Sequence, residues 1–347
     1  MNYIKIFCFI FALFLGVELV LKFKDPSVYT YDQKLGWRTK VDFNHTYNQK
    51  DLYSNTYKAH YSTDKYGART FLSHGNIANS LGKINIIAIG DSFTMGPYVG
   101  NDQMWFSVLA KKIKKIGYQS KVSAIGAGAY GNFQQYLLLK KTIKDGYSDY
   151  QGYEHPDIFV MQFCDNDFSN NNFEIEKASF SLSQYMRRPY LVDDKIYYHK
   201  SFFSPLFANS TPFLRDSRIF AKLIFIYELI LRKYIFSNNQ PIKRKLITEA
   251  QKTTLKILTN IRNMYPHSPS FIFSCSNKPT QINSDWKKLA RLAGFTVLDE
   301  TSNFIDQARK EGKKIFYKDG GHLNQLGNSY LGELIFKEIT TKYIIFN

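Results

Sequence analysis

The sequence predicts an α/β protein: a three-layer α/β/α sandwich around a five-stranded parallel sheet, preceded by an apolar N-terminal helix. Three observations predict it. Five short apolar runs, Ile84–Gly90, Lys121–Gly126, Asp157–Phe163, Ser270–Ser276 and Gly294–Glu300, have the length and texture of buried strands. Segments with helical spacing alternate with them, the pattern of parallel strands joined by crossover helices. One long run at the N-terminus, and no other, approaches the length needed to span a bilayer.

Composition agrees. The chain has 347 residues, 44% hydrophobic and 22% charged, which excludes disorder for the bulk of it. Three cysteines exclude a disulfide scaffold and a Cys-rich zinc module. The formal net charge is +17. The lysines are scattered, with no long basic run and no RNP-like aromatic block, so the charge reads as a diffuse positive surface and not as a nucleic-acid site.

The elements follow in order. Residues 1–24 read MNYIKIFCFIFALFLGVELVLKFK, apolar from Ile6 to Leu21 except for Gly16 and Glu18. This is a signal anchor or a signal peptide; the missing small-x-small cleavage site favours the anchor. Tyr3–Phe23 can cross a core of roughly 30 Å with Lys5 and Lys22 reaching the interfaces. A buried N-terminal helix is the plainer alternative.

Residues 25–82, rich in Tyr, Asn, Asp, Lys and Thr, form an irregular leader with short strands. Residues 83–347 form the main domain. After the first strand, Trp105, Val108, Leu109, Ile113 and Ile116 share one helical face. Helices are also expected at Gln134–Lys144, Ile247–Met264, Ser284–Ala293 and Asn324–Ile339. Residues 168–245 break the alternation with aromatics, a hairpin at Tyr190–Lys200 and an apolar helix near Ile219–Ile235. They read as an insertion capping the edge where the strands end. Ligand chemistry in such sheets gathers at that edge.

Four strings sit there. Gly90-Asp91-Ser92 ends the first strand: Ser92 either presents its hydroxyl at the edge or caps the next helix. Gly126-Ala127-Gly128-Ala129 ends the second with little side-chain bulk, which lets a ligand approach the backbone. Asp165-Asn166-Asp167 follows the third, as an amide donor or an ordinary Asx turn. Asp319-Gly320-Gly321-His322 precedes the last helix, as an oriented imidazole or a helix-entry turn. Cys164 and Cys275 lie at the ends of strands expected to be neighbours, and either bridge or stay as buried thiols.

In this order (GDS, Gly-rich loop, ND, DxxH) the blocks resemble the SGNH/GDSL hydrolase family, over roughly Lys83–Ile339. The leader, with Leu35-Gly36-Trp37-Arg38 and Tyr66-Gly67-Ala68-Arg69, resembles that of membrane-anchored, envelope-facing members. The resemblance implies a flavodoxin-like sheet order and a serine-dependent ester chemistry without metal or cofactor. It makes Ser92 the nucleophile, His322 the general base and Asp319 its orienting carboxylate. Asn166 and a backbone N–H of Gly128 or Ala129 complete an oxyanion hole with the Ser92 N–H. The first block reads GDSF where the family has GDSL, and Ala129 stands where a glycine is expected, so a positive φ there would strain the loop.

The implied activity is ester hydrolysis or acyl transfer on O-acyl groups of cell-envelope polysaccharide. The partners are an acylated carbohydrate or other small ester and, through the N-terminal helix, a membrane; nucleic acid is not among them. The catalytic domain lies on the outer side. Tyr185, Tyr190, Tyr197 and Tyr198 of the insertion stack on sugar rings or pack the core. A second reading is a catalytically silent carbohydrate-binding or assembly protein on the same scaffold.

Overall fold

The computed structural model describes residues 3–24, 26–73, 80–144, 155–179, 188–198, 217–219, 222–223, 226, 244–275 and 285–342. Tyr185, Ser276 and most of the apolar segment Ile219–Ile235 lie outside the described residues.

Helix α1 (Tyr3–Lys24) is long and apolar enough by length and composition to cross a membrane, with a mean hydropathy of 2.5. Its one buried residue is Glu18, whose carboxylate accepts hydrogen bonds from the Ser217 hydroxyl (3.1 Å) and the Arg218 (2.7 Å) and Ile219 (3.0 Å) N–H groups. Two hairpins follow: β1 (Tyr29–Asp32) with β2 (Gly36–Thr39), and β3 (Asn44–Lys50) with β4 (Thr56–Ser62). Strand β5 (Arg69–Leu72) then joins the main sheet.

The main domain begins with β6 (Gly82–Gly90), the single turn α2 (Ser92–Met95) and α3 (Trp105–Lys115). Next come β7 (Tyr118–Gly126), α4 (Asn132–Lys144), β8 (Ile158–Phe163), α5 (Asp167–Asn171) and α6 (Phe173–Ser179). The insertion contributes the hairpin β9 (Pro189–Val192) and β10 (Lys195–Tyr198). The chain continues through α7 (Arg244–Arg262), β11 (Ser270–Ser274), α8 (Trp286–Leu292), β12 (Thr296–Val297), α9 (Asp299–Lys310) and α10 (Gln325–Lys342).

The sheet order is β12-β11-β8-β6-β7-β5, with every neighbouring pair parallel except β5 against β7. The α/β class and parallel sheet are as expected, with two corrections. The sheet has six strands, because the leader supplies an antiparallel edge strand; β5 is too short to announce itself by periodicity. The fifth parallel strand is only Thr296–Val297, because Asp299 and Glu300 are the acidic first turn of α9, where carboxylates suit the helix dipole.

Alternate residues of β6 face opposite layers, as the pleat requires. Ile86 and Ala88 pack with Trp105, Leu109, Ile305, Leu331 and Ile335 from α3, α9 and α10. Ile87 and Ile89 pack with Leu139, Leu258, Ile261 and Trp286 from α4, α7 and α8. Each buried Ile or Leu among these contributes about 1.5–3 kcal/mol. The chain leaves β6 toward β7 and then crosses back to β8 on the other side. That reversal opens a crevice beyond the carboxyl ends of β6 and β8, where an open α/β sheet admits ligands.

Candidate active site

Ser92 stands at that crevice as the first residue of α2. The Asp91 carboxylate caps the turn by accepting the Phe93 N–H at 3.0 Å. Burial pushes the Asp91 carboxyl up to about 6. Gly90 has no room for a side chain: an added Cβ would collide with the Thr94 hydroxyl and the Gln162 amide oxygen. The first block therefore needs its glycine for close packing against β8.

His322 comes from the loop before α10, and its Nε2 lies 2.8 Å from Ser92 Oγ. Its Nδ1 lies 2.6 Å from Asp319 Oδ2. The ionised carboxylate can only accept, so Nδ1 carries the proton and Nε2 is left to accept from the Ser92 hydroxyl. Partial burial raises the Asp319 pKa, but hydrogen bonds from the His322 ring and backbone and the imidazole charge outweigh it, holding the carboxyl at about 2. Asp319 Oδ1 also accepts the N–H groups of Gly321 (2.9 Å) and His322 (3.0 Å), so one carboxylate shapes the turn and fixes the ring. Phe93 and Tyr98 flank the imidazole, with ring centroids at 5.2 and 5.6 Å.

The remaining predicted residues line the same cavity, of about 670 Å³, with Ser92 and His322: Gly128, Ala129 and Asn166, together with Tyr29, Trp37, Tyr98, Cys164 and Cys275. Asn166 is partly exposed at the end of β8. Its neighbour Asp167 turns inward, accepts the Cys164 N–H at 2.8 Å, and is driven well above the usual carboxylate range by burial and by Asp91. Ala129 has φ +59°, the left-handed region. That conformation costs an alanine roughly 1–2 kcal/mol. Its carbonyl accepts from Arg188 Nη2 at 2.7 Å and Asn170 Nδ2 at 3.3 Å, which hold it there. Cys164 and Cys275 are joined, with Cα atoms 5.1 Å apart, and tie β8 to β11 beside the site. Among the described residues no group of three His, Cys, Asp or Glu side chains could hold a metal ion.

Sequence reasoning missed four supports. The Trp37 indole donates to the Gly128 carbonyl at 2.9 Å, and the Tyr29 hydroxyl accepts the Gly128 N–H at 2.9 Å. Buried Arg69 donates to the carbonyls of Met95, Gly96 and Val99 at 2.7–2.8 Å, closing the C-terminal end of α2. Buried Arg188 bonds Ala129 and Gln134 and pairs with Glu176 at 3.0 Å. Trp37 and Arg69 lie in the two leader strings, which were the available signal. Of the insertion's aromatics, Tyr190 is buried and packs, with its hydroxyl on Glu176 (2.6 Å), Tyr198 is half-buried and bonds the Lys34 carbonyl (3.1 Å), and Tyr197 is exposed.

No family model matches the chain, and no curated protein matches it in sequence. Among solved structures it is similar to an acetyl xylan esterase from Butyrivibrio proteoclasticus, at 11% identity and a TM-score of 0.38, covering 85% of this chain and 68% of that one. It is also similar to a lipase/acylhydrolase from Enterococcus faecalis, at 13% identity and 0.35, covering 76% and 97%. A third is a member of the lipolytic G-D-S-L family from Veillonella parvula, at 12% identity and 0.35, covering 76% and 98%. These likenesses are distant.

Proposed function

We propose that this chain is a serine-dependent carboxyl-ester hydrolase or acyl transferase of the SGNH/GDSL type. The observation that carries the reading is the continuous Ser92–His322–Asp319 hydrogen-bond chain, with links of 2.8 and 2.6 Å, at the switch point of the sheet. A serine hydroxyl is a weak nucleophile until an adjacent base takes its proton. His322 Nε2 is placed for that, and Asp319 stabilises the imidazolium that forms.

Ser92 Oγ attacks the ester carbonyl while His322 takes its proton. The carbonyl oxygen becomes an oxyanion facing Asn166 and the Ser92 N–H, one of the donors a helical turn leaves unused. His322 then protonates the leaving alcohol, giving an acyl-Ser92. Water completes hydrolysis, or a sugar hydroxyl completes transfer, with His322 again as base.

For the substrate we favour O-acyl groups on envelope carbohydrate. The site is an open cavity, and α1 suits a membrane anchor with the site on the outer side. The test is hydrolysis of p-nitrophenyl acetate by the detergent-solubilised full chain, beside Ser92→Ala. Turnover is expected in the parent and none above background in a folded Ser92→Ala; equal turnover in both refutes the reading. Mass spectrometry of envelope glycans with and without the protein then reads the natural ester.

A further inference from the structure

Of the two second-block N–H groups that could complete the oxyanion hole, those of Gly128 and Ala129, the Gly128 N–H is already engaged. Gly128 N–H points at the Tyr29 hydroxyl, 2.9 Å away. A Cβ built on Gly128 would stand 2.5 Å from that oxygen and 4.0 Å from Ser92 Cβ, so the hydroxyl lies on the nucleophile's side of the loop. Tyr29, Ser92, Asn166 and His322 line one cavity. Having accepted from Gly128, the hydroxyl directs its own proton toward the Met95 thioether at 3.7 Å, a weak acceptor. Among the described residues that proton has no stronger partner. Burial pushes the Tyr29 phenol far above its ordinary pKa, so it stays protonated where an esterase works.

The position is built. Tyr29 lies in β1, paired opposite Thr39 of β2, and β2 carries Trp37. Trp37 holds the Gly128 carbonyl while Tyr29 holds the Gly128 N–H, so the leader hairpin grips this loop by both polar groups of one residue. The Tyr130 hydroxyl returns a bond to the Trp37 carbonyl, and Gln134 Nε2 donates to Leu35 O at 2.7 Å.

We propose that Tyr29 is a catalytic residue: its hydroxyl replaces the Gly128 N–H as an oxyanion-hole donor, beside Asn166 and the Ser92 N–H. The proposal rests on the serine-ester reading. As the tetrahedral intermediate forms, the Tyr29 O–H turns from Met95 to the oxyanion and donates a hydrogen bond, with no proton transferred. The Gly128 N–H polarises that hydroxyl from behind, and hydrogen bonds in such a chain strengthen one another. The leader thus supplies part of the reaction centre.

The experiment uses the full chain in detergent, with Tyr29→Phe, Ser92→Ala and the parent assayed on p-nitrophenyl acetate. Tyr29→Phe is expected to lower kcat by about 10²-fold, the scale for one lost donor, with KM within a few-fold and melting temperature near the parent's. An unchanged kcat overturns the proposal, and so does an increase, which would mean that the hydroxyl blocks the hole. If Tyr29→Phe misfolds, 3-fluorotyrosine at position 29 keeps ring and hydroxyl while making the phenol more acidic. A donor to the oxyanion then gives a changed kcat, and an unchanged one overturns it. Failure of the underlying reading looks different: parent turnover that survives in Ser92→Ala removes the esterase and Tyr29's role together.

Discussion

Replacing Asp319 by Asn separates the two jobs of that carboxylate. Oδ1 accepts two backbone N–H groups that shape the turn, and an asparagine oxygen can keep both. Oδ2 accepts the His322 Nδ1 proton, and there the amide NH₂ presents donors instead. The ring must then accept at Nδ1 and carry its proton on Nε2, the wrong tautomer for receiving the Ser92 proton. The charge effect has a scale of its own. Holding the carboxyl at about 2 instead of 3.8 is worth on the order of 2 kcal/mol between its charge states. Solvent at a side chain 33% exposed screens that to about 1 kcal/mol. The lost hydrogen bond from Nδ1 to a charged acceptor adds roughly 1.5–3 kcal/mol. Together they correspond to a fall of about 10²–10³-fold in kcat. The assay is kcat and KM for p-nitrophenyl acetate, with circular dichroism to confirm folding. Asp319→Asn with parent-like kcat refutes the reasoning, since Asp319 would then serve the turn alone.

Two further outcomes concern stability. The Cys164–Cys275 bond closes a loop with a sequence separation of 111; replacing both by Ser is expected to cost about 4–5 kcal/mol through loop entropy, and an unchanged melting temperature contradicts it. Burial raises Asp91 from 3.8 to about 6, so the folded chain binds this proton more tightly than the unfolded one and the group's contribution falls as pH rises through that window. Asp91→Asn keeps an acceptor for the Phe93 N–H and should narrow the gap between melting temperatures at pH values below and above the window; a gap as wide as the parent's removes Asp91 as its cause.

The parallel strands were legible because burial on both faces makes them continuous apolar strings, as in Ile158–Phe163, where every residue is buried. Helix α9 was not: its apolar residues Phe304, Ile305 and Ala308 are sparse among polar neighbours, and the preceding strand obscured its acidic start. β5 was missed for another reason. A four-residue strand pairing antiparallel at a sheet edge has no periodicity to display. Within the site, the four blocks were legible because each is a contiguous string at a strand end. Tyr29 and Trp37 were not, because their partners are backbone groups 99 and 91 positions away, and any loop can offer a backbone N–H or C=O.

That distinction bears on what the leader is for. A four-residue helix is unstable by itself, since nucleation fixes several residues for one hydrogen bond. Here α2 is held at its start by the Asp91 cap and at its end by Arg69, whose guanidinium collects three carbonyls that would otherwise face a buried space unpaired. Burial lowers the Arg69 pKa to about 10, which leaves the guanidinium charged at neutral pH and favourably placed at the negative end of the turn. The Gly128 loop is gripped in the same manner by Tyr29 and Trp37. The Ser92 turn and the Gly128 loop are therefore each held in part by residues placed between α1 and the first parallel strand. The α/β domain supplies the edge, and the leader supplies contacts that hold the Ser92 turn and the Gly128 loop in place beside one another.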